Sequence, residues 1–376
     1  MHLKFRNVND AFTTFVRGFA AGSVEGLGEV VRRPSRNGGV LVIDEPVLVT
    51  YSRPRERVLF NAARDANPFF HLYHSLWLLA GRNDVAAPSY YVKKFADYSD
   101  DGLTQNASYG HRWRNALTET GNAFYDPAYV DQIKEIGYHL TNAPNSRRAV
   151  LQMWNVVDDL LNVGGREPGD KGSKDVCCNL SVMFSLRDAL SNRVGATGPC
   201  PFKVLDMTVT NRSNDLVWGM LGEDYVTFTV LQEYLAAKLG VEVGVYNHFT
   251  NNLHCYEWNW KPDEWLAWAE KYCDNEYASQ GPKESPAVFS LFRDIDMFDF
   301  ELPKFVEYNS KTPENLKPTS WGCLFLNSVA QPMMNAFHMH KLDDYAGAEY
   351  RLKEIVADDW RLAATNWIRK RKDKRS

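Results

Sequence analysis

The stretch Asp175-Val-Cys-Cys-Asn-Leu-Ser-Val-Met-Phe184 sets two adjacent cysteines directly before a run of apolar residues. The short segment Leu180 to Leu186 is rich in alternating and β-branched apolar residues, which is typical of a strand. Cys178 is therefore predicted to lie at the mouth of a strand. Three other segments share this pattern and are predicted to be strands: Val40 to Tyr51, Ala149 to Trp154 and Val204 to Thr210.

The clearest helix signal lies between the first two of these strands. Asn67 and Pro68 are typical of an N-cap followed by a first-turn proline, and Gly81 is typical of the position after a helix. The pattern predicts a helix over Phe69 to Ala80. Its residues are apolar nearly all round, so we expect the helix to be buried.

A second helix is predicted over Tyr225 to Leu239, with Asp224 as a possible N-cap and Gly240 as its stop. The stretch Ala346 to Ile368 is also predicted to be helical. Strand and helix patterns alternate irregularly along the chain, which indicates the α+β class: a mixed β-sheet covered by helices.

The domain organisation follows from what the sequence lacks. It has no internal repeat and no low-complexity linker, so residues 1–376 are predicted to form a single large domain. Polar breaks near 164–173, 191–201 and 280–285 are interpreted as surface insertions within that domain. The basic run at 369–376 is predicted to be a disordered tail.

Charge and cysteine content argue against several classes of protein. The formal net charge of -4 argues against a general nucleic-acid binder, because such proteins carry a basic excess that neutralises phosphates. The six cysteines form no Cys-x-x-Cys pattern, and the sequence has no signal-like leader and no apolar run near about 18 residues. We therefore expect a cytoplasmic protein, in the host cytoplasm if it is viral, with reduced thiols, no metal and no stable nucleic-acid partner.

Cys178 is the candidate nucleophile. A free thiol has a pKa of about 8.5, and a cationic neighbour lowers it enough to supply a thiolate. The segment Arg212-Ser-Asn-Asp215 follows 34 residues after Cys178 and contains an arginine. Taken alone, such a cysteine fits an inert core thiol better than a nucleophile, since free cysteine is among the most buried residues.

The surrounding motifs change that interpretation. They are Ser35-Arg-Asn-Gly38, Ser75-Leu-Trp-Leu-Leu-Ala-Gly81, Ala107-Ser-Tyr-Gly-His-Arg-Trp-Arg114, Ser146-Arg-Arg148 leading to Trp154-Asn155, Cys177-Cys-Asn179, Asn211-Arg-Ser-Asn-Asp215 and His254-Cys-Tyr256, with a weaker Asp359-Trp-Arg361. In this order they resemble the thymidylate synthase family, and within it the deoxycytidylate and deoxyuridylate hydroxymethylases of bacteriophages. The resemblance implies a thymidylate synthase-like fold that forms a homodimer through its sheet.

The resemblance also implies a reaction. A one-carbon unit would pass from 5,10-methylenetetrahydrofolate, the co-substrate, to C5 of a pyrimidine nucleoside monophosphate. Cys178 would attack C6 and so make C5 a carbon nucleophile. After tetrahydrofolate leaves, an exocyclic methylene remains: hydride gives a methyl group, whereas water gives a hydroxymethyl group. The handling of water therefore decides the product.

Phosphate binding is implied for Arg36, Arg212 and Ser213, with Arg147 and Arg148 reaching across from the other subunit of the homodimer. Guanidinium groups suit a dianionic phosphate because their forked donors bind two oxygens at once. Without the resemblance, the pair Arg147 and Arg148 fits a solvated surface charge equally well.

Four more residues have roles by resemblance. His254 and Tyr256 lie at alternate positions of a predicted strand and would hold the ribose hydroxyl. Tyr109 would assist removal of the proton from C5, and Asp215 would meet the folate pterin. The plainer alternatives are a hydrogen-bonded core pair, a packed aromatic before Gly110 and a turn aspartate.

Base choice in the family depends on a residue shortly after the Arg-Ser-x-Asp motif, where asparagine suits uracil and aspartate suits cytosine. A carboxylate accepts from the 4-amino group and from a protonated N3, while uracil offers O4 as an acceptor. Asp224 is aligned with that position, and Glu223 is the alternative if the loop is one residue shorter. Either acid favours cytosine; helix capping is the plainer role for Asp224.

One departure from the family concerns the residue just before the Ser75-Leu-Trp run. Relatives carry a glutamate there that orders water near the base, but this chain has His74. Histidine can also act as an acid or base near neutral pH, so we count His74 among the catalytic candidates. Cys177 replaces the proline that usually precedes the nucleophile, and no role is assigned to it.

The leading hypothesis from sequence is a deoxycytidylate 5-hydroxymethyltransferase acting on dCMP. A dCMP methyltransferase is the nearest alternative, a dUMP enzyme comes third, and enzymes that use CMP share the same motifs. A non-catalytic paralogue that binds nucleotide or RNA is an alternative of another class, motivated by His74.

Overall fold

The computed structural model describes residues 2–117, 129–164, 171–191, 200–272, 275–278, 285–310 and 319–374. Its strands are β1 (His2–Phe5), β2 (Ser23–Val24), β3 (Gly28–Ser35), β4 (Gly38–Ile43), β5 (Val47–Tyr51), β6 (Ala116–Leu117), β7 (Tyr129–Val130), β8 (Val150–Gln152), β9 (Asn179–Ser191), β10 (Cys200–Asn211), β11 (Asn214–Asp215), β12 (Glu242–Thr250) and β13 (Leu253–Tyr256).

Two mixed sheets organise these strands. The larger has the order β1-β5-β12-β10-β9-β8, and the smaller has the order β11-β13-β4-β3-β2. In the larger sheet β1 and β5 are parallel, as are β10 and β12, while β9 runs antiparallel to both of its neighbours. Strands β6 and β7 form a separate antiparallel pair.

The helices are α1 (Val8–Ala21), α2 (Pro68–Leu79), α3 (Ala86–Tyr91), α4 (Tyr109–Arg114), α5 (Gln132–Asn142), α6 (Glu223–Leu239), α7 (Pro262–Lys271), α8 (Ile295–Asn309), α9 (Gln331–Lys341), α10 (Tyr345–Leu352) and α11 (Asp358–Asp373). Short helical turns lie at Lys93–Tyr98, Val156–Leu160, Leu216–Met220, Glu257–Asn259, Glu276–Ala278 and Leu326–Ala330. No helix among the described residues has the length and apolar character needed to cross a membrane.

The core lies between one face of the larger sheet and the helices that cover it. Helix α6 packs on β10 and β12, and α2 packs against α6. All residues of α2 are buried, because the helix is apolar on every side and is surrounded by other elements. These two helices carry His74 and Asp224, so packing in the core fixes where both side chains lie.

The predicted helix after Asn67 is confirmed in detail. The Asn67 side chain accepts hydrogen bonds from the backbone N–H groups of Phe69 and Phe70, at 3.1 Å each. Pro68 lies in the first turn, and Gly81 follows the helix with a φ of 74°, a left-handed conformation that favours glycine.

The strand predictions around β8, β9 and β10 are confirmed, but Val40 to Tyr51 is not one strand. It forms the end of β4 and the whole of β5, which belong to different sheets. The break falls at residues 44–46, where Pro46 has no backbone N–H to donate to a ladder.

The expected N-cap of α6 is wrong. The helix begins at Glu223 after Gly222, and no side chain caps it. Asp224 therefore lies within the first turn and is buried there, with its carboxylate turned to the asparagines of neighbouring segments. The stop at Gly240 is confirmed, with a φ of 65°.

Near the C-terminus two predictions need correction. The stretch Ala346 to Ile368 is not one helix: α10 ends at Leu352, and the Val356 N–H donates to the Ser328 carbonyl instead of continuing a helix. The predicted tail 369–376 is helical up to Asp373, because α11 continues to that residue. Within it Arg371 pairs with Asp65 at 3.0 Å. The core of each predicted insertion, at 165–170, 192–199 and 279–284, lies outside the described residues.

Candidate active site

Cys178 lies directly before β9 and is half-buried, at the strand mouth where the sequence predicts it. The backbone N–H of Arg212 donates to the Cys178 carbonyl at 2.9 Å, because β9 and β10 are antiparallel neighbours. The Arg212 guanidinium donates to the carbonyls of Cys177 and Val176, and its Nη2 lies 3.7 Å from Cys178 Sγ. Hydrogen bonds to backbone carbonyls thus hold the Arg212 guanidinium close to the Cys178 thiol.

The electrostatics of Cys178 balance burial against this cation. Burial raises the pKa of the thiol to about 11, while the Arg212 charge acts in the opposite direction and Asp224 adds to the rise. In the protein without substrate the thiol is therefore mainly protonated near neutral pH. The arginine acts in favour of the thiolate, because a nearby cation stabilises its negative charge.

A buried ion pair fixes the backbone before Cys178. Arg112 binds Asp159 at 2.5 Å, and Asp159 accepts the backbone N–H of Cys177 at 3.0 Å. Asp175 accepts the N–H of Ala107 at 2.9 Å, which ties this loop to the loop before α4. The loop before Cys178 and the loop before Tyr109 are thereby fixed relative to one another.

Tyr109 is the first residue of α4, and its ring stacks on Phe228 of α6 with the centroids 5.6 Å apart. Gly110 lets α4 approach α2, since a Cβ there would lie 2.1 Å from the Leu78 carbonyl oxygen. Burial and the Asp224 charge raise the pKa of Tyr109 well above its usual range. The phenol therefore keeps its proton and can relay one through hydrogen bonds.

The two residues predicted to hold the sugar, His254 and Tyr256, are neighbours in the structure. His254 and Tyr256 lie on β13 with ring centroids 5.2 Å apart and nearly perpendicular. Burial lowers the pKa of His254, although the Asp215 charge opposes that change. Ser213 Oγ lies 3.4 Å from His254 Nδ1, so a phosphate candidate and a sugar candidate are adjacent.

Arg36 lies in the two-residue turn between β3 and β4, where Ser35 pairs with Gly38. Its guanidinium donates to the carbonyls of Ser173 and Lys174, both at 3.0 Å, and is exposed. The turn therefore reaches the segment that leads to Cys178.

Arg147 and Arg148 are exposed on the segment that enters β8, and neither makes an ion pair with a described residue. They flank a half-exposed row that crosses the larger sheet in register. The row is Val150, Met183, Thr208, Asn247, Thr50 and Lys4. These side chains are half-exposed or exposed and lie on the face of the sheet opposite the helices. We call this side, as far as the described residues show, the open face of the larger sheet; it lies beside the two arginines.

Asp215 holds a short helical turn and keeps one oxygen free. Its Oδ1 accepts the N–H groups of Val217 and Trp218, whereas the buried Oδ2 has no partner among the described residues. Burial raises the pKa of Asp215. Trp218, whose backbone N–H binds the other oxygen of Asp215, is 41% exposed, so an acceptor and an aromatic surface occur on the same turn.

Asp224 and Glu223 are adjacent buried acids with opposite behaviour. Asn214 donates to Asp224 Oδ2 at 2.9 Å and Asn211 at 3.3 Å, yet burial and the Glu223 charge raise the pKa of Asp224 to about 7. Burial acts to raise the pKa of Glu223 as well, but His74 and Thr227 more than offset it and the pKa falls below its usual value. One carboxyl is therefore partly neutral while its neighbour is ionised.

His74 is the partner of Glu223. Its Nδ1 lies 2.5 Å from Glu223 Oε1, and both side chains are over nine-tenths buried. His71, one turn earlier, has its pKa lowered to about 4 by burial and does not form this contact. Among the described residues no three His, Cys, Asp or Glu side chains are grouped to hold a metal ion.

Sequence reasoning selected most of these residues but missed the ones that support them. Asp159, the partner of Arg112, lies in none of the motifs. Arg112, Asp175, Asn211 and Asn214 lie inside stretches that the sequence singles out, which is the signal that was available.

A model of the thymidylate synthase family, described as thymidylate synthase, matches residues 71–313. The matched range contains every candidate discussed above except Arg36. It spans α2, the arginine pair, the thiol and the β13 pair.

Individual relatives give the same result. A deoxyuridylate hydroxymethyltransferase from Pseudomonas phage M6 is 37% identical over 359 residues, which cover 92% of this chain and 89% of the relative. A deoxyuridylate hydroxymethyltransferase from Bacillus phage SP01 is 36% identical over 212 residues, covering 56% and 49%. A thymidylate synthase from Symbiobacterium thermophilum is 28% identical over 188 residues, covering 48% and 56%.

Proposed function

The chain belongs to the thymidylate synthase family, and on that premise we propose that it transfers a one-carbon unit to C5 of a pyrimidine nucleoside monophosphate and completes it as a hydroxymethyl group. The observation that carries the proposal is the thiol of Cys178 held 3.7 Å from the Arg212 guanidinium. The names of the two phage relatives support the hydroxymethyl product over the methyl product.

Each side chain of the site has its own proposed role. Cys178 attacks C6 as a thiolate that Arg212 stabilises. The same arginine and Arg36 neutralise the substrate phosphate, and the Ser213 hydroxyl donates a hydrogen bond to it. His254 and Tyr256 hold the ribose hydroxyl. Tyr109 passes on the proton lost from C5; its raised pKa suits a hydrogen-bonded relay better than a phenolate base.

The donor set also fits a folate co-substrate. 5,10-Methylenetetrahydrofolate supplies the carbon and leaves as tetrahydrofolate. Asp215 would hold the pterin, because its unpartnered Oδ2 can accept from the ring N–H groups and Trp218 offers a ring to stack on.

We take dUMP as the substrate, in contrast to the cytosine preference expected from sequence. Uracil O4 needs a donor, and Asp224 can supply one because a carboxyl with a pKa of about 7 is partly protonated at neutral pH. The names of the phage relatives agree with this base. dCMP is the second candidate, favoured by the ionised form of the same carboxyl, which accepts from a 4-amino group.

We propose a homodimer that associates through the open face of the larger sheet. Val150 is 44% exposed and Met183 is 40% exposed, and the two are direct cross-strand neighbours on that face. A second copy would cover them, and Arg147 and Arg148 at its border would then reach the partner's phosphate site.

Mass spectrometry of the nucleotide product tests the proposal. The protein is incubated with 5,10-methylenetetrahydrofolate and, separately, dUMP, dCMP and CMP. A gain of about 30 daltons on dUMP is expected for hydroxymethylation, whereas a gain of about 14 daltons would mean a methyl product. A gain on dCMP alone would overturn the base assignment, and no gain on any nucleotide would favour a non-catalytic binding protein.

A further inference from the structure

The pair formed by His74 and Glu223 joins two helices in the core of the cleft. His74 comes from the middle of α2 and Glu223 from the first turn of α6, and they are 149 residues apart. Thr227 donates a second hydrogen bond to the same Glu223 oxygen. A buried carboxylate with two donors is fixed in place and stays ionised.

This contact determines which nitrogen of His74 is free. An ionised carboxylate can only accept, so the proton lies on Nδ1 and is donated to Glu223. In the neutral imidazole the lone pair is then on Nε2. That atom is buried and has no hydrogen-bond partner among the described residues.

Aromatic rings hold the imidazole in one orientation. The His74 ring stacks on Phe70 at 5.0 Å and on Trp77 at 5.2 Å, and Phe95 meets it edge-on at 5.3 Å. A ring stacked on both faces cannot turn Nε2 elsewhere. An unpartnered nitrogen so fixed costs stability, which makes it a candidate for work on a substrate or a water.

Glu223 connects the pair to the residues proposed to act on the base. Glu223 is next to Asp224 in sequence, and both charges act on the Tyr109 phenol, as does Cys178. The pair therefore adjoins the groups proposed to hold the base and to form the bond to C6.

We propose that His74 is the catalytic base for the water that completes the hydroxymethyl group, with Glu223 as the residue that positions it; the proposal rests on the function proposed above.

The step balances as follows. Water attacks the exocyclic methylene carbon of the pyrimidine bound to Cys178, forming the C–O bond, and gives its proton to His74 Nε2. The electron pair of the exocyclic double bond moves to O4 as an enolate. The enolate then re-forms the C5–C6 double bond and expels Cys178 as a thiolate. No oxidant or reductant is needed.

The reverse of this step gives a test that needs no folate. With 5-hydroxymethyl-dUMP in ¹⁸O-water, Cys178 adds to C6, the hydroxyl leaves as water with the His74 proton, and labelled water returns. Mass spectrometry then follows exchange of the hydroxymethyl oxygen; 5-hydroxymethyl-dCMP is run in parallel. Exchange of the C5 hydrogen of dUMP and of dCMP in D₂O is measured with the same protein preparations. That exchange requires Cys178 but not the attack of water on the methylene group.

His74→Gln is expected to slow oxygen exchange by about 10²-fold or more while C5 hydrogen exchange stays within about threefold of the wild type. His338→Gln is the matched control, since His338 is also buried, lies 2.9 Å from Tyr90 Oη through Nδ1 and has an unpartnered Nε2. It should leave both exchanges unchanged.

Glu223→Gln provides the second variant. It keeps the length of the side chain but removes the charge, so the rate of oxygen exchange should lie between those of the wild type and His74→Gln. C5 exchange should change by a smaller factor, which reflects the loss of the Glu223 charge beside Asp224. If both variants lose the two exchanges in proportion, or retain oxygen exchange, the role of the pair is wrong. If the wild type itself shows neither exchange nor product, the proposed function has failed instead.

Discussion

The two sides of the cleft are built in different ways. On the phosphate side, Arg36, Arg147 and Arg148 are exposed, and Arg36 is held only through backbone carbonyls. On the base side, His74, Glu223 and Asp224 are buried between α2 and α6 and bound to one another or to asparagines. On the function and the homodimer proposed above, the base side is complete in a single chain, whereas the phosphate side is completed by substrate and by a second copy.

Cys178 is the residue on which both sides are proposed to act. Its replacement has the largest expected effect on the rate of the reaction. Cys178→Ala should lower the rate of C5 chemistry on the order of 10⁴-fold or more, because the proposed mechanism needs a covalent bond from this thiolate to C6. Release of tetrahydrofolate measures it. Cys323→Ala is the control, since Cys323 is buried outside the cleft; activity should survive there, and equal losses would mean that Cys178 has only a structural role.

The phosphate side can be tested by mixing subunits. The double variant Arg147→Ala with Arg148→Ala should raise the KM for nucleotide by about 10²-fold through lost charge-assisted contacts. Mixed with Cys178→Ala and refolded together, it should regain up to about a quarter of wild-type activity, because a mixed dimer has one intact site.

Absence of such recovery, with dimers formed, would mean that each chain uses its own arginines. Arg351→Ala is the matched control: Arg351 lies on α10, pairs with Glu354 just after that helix, and should not affect the KM when it is replaced.

Base choice tests the other side. Asp224→Asn replaces a carboxyl that can donate or accept by an amide that always offers a donor to O4. The ratio of kcat/KM for dUMP over dCMP should rise by about 10²-fold, equivalent to about 2.7 kcal/mol. An unchanged ratio would mean that Asp224 does not face the base.

The pH dependence of that ratio follows from the raised pKa of Asp224. Below about pH 7 the carboxyl is protonated and donates to uracil; above it the carboxylate accepts from cytosine. The groups that face it are Glu223, Asp215, Asn211 and Asn214. The preference for dUMP should therefore fall about tenfold for each pH unit above 7, and Asp224→Asn should remove the trend.

These tests separate what the sequence predicts from what only the fold reveals. Cys178, Arg212 and Tyr109 lie in contiguous motifs next to strand or helix ends, and the resemblance carried by those motifs selected them, whereas each residue taken alone fits a plainer role. The role of Asp224 as an N-cap was wrong because Gly222 ends the preceding turn and moves the helix start to Glu223.

The partner of His74 was out of reach of any local pattern, since Glu223 lies 149 residues away. The sequence places His74 on α2, and packing of α2 against α6 brings the Glu223 carboxylate to it. Contacts between distant elements depend on how the core packs, which a single sequence does not specify residue by residue.

The smallest expected effect tests whether the base side is held by packing alone. Asn67→Ala removes the cap of α2 and should lower the free energy of unfolding by about 1 kcal/mol, measured with denaturant. Because every residue of α2 is buried, His74 should keep its place and kcat should not change. Asp344→Ala, which removes the cap of α10 outside the cleft, should cost a similar amount. A fall in kcat with Asn67→Ala alone would mean that the cap, and not the core, fixes His74 against Glu223.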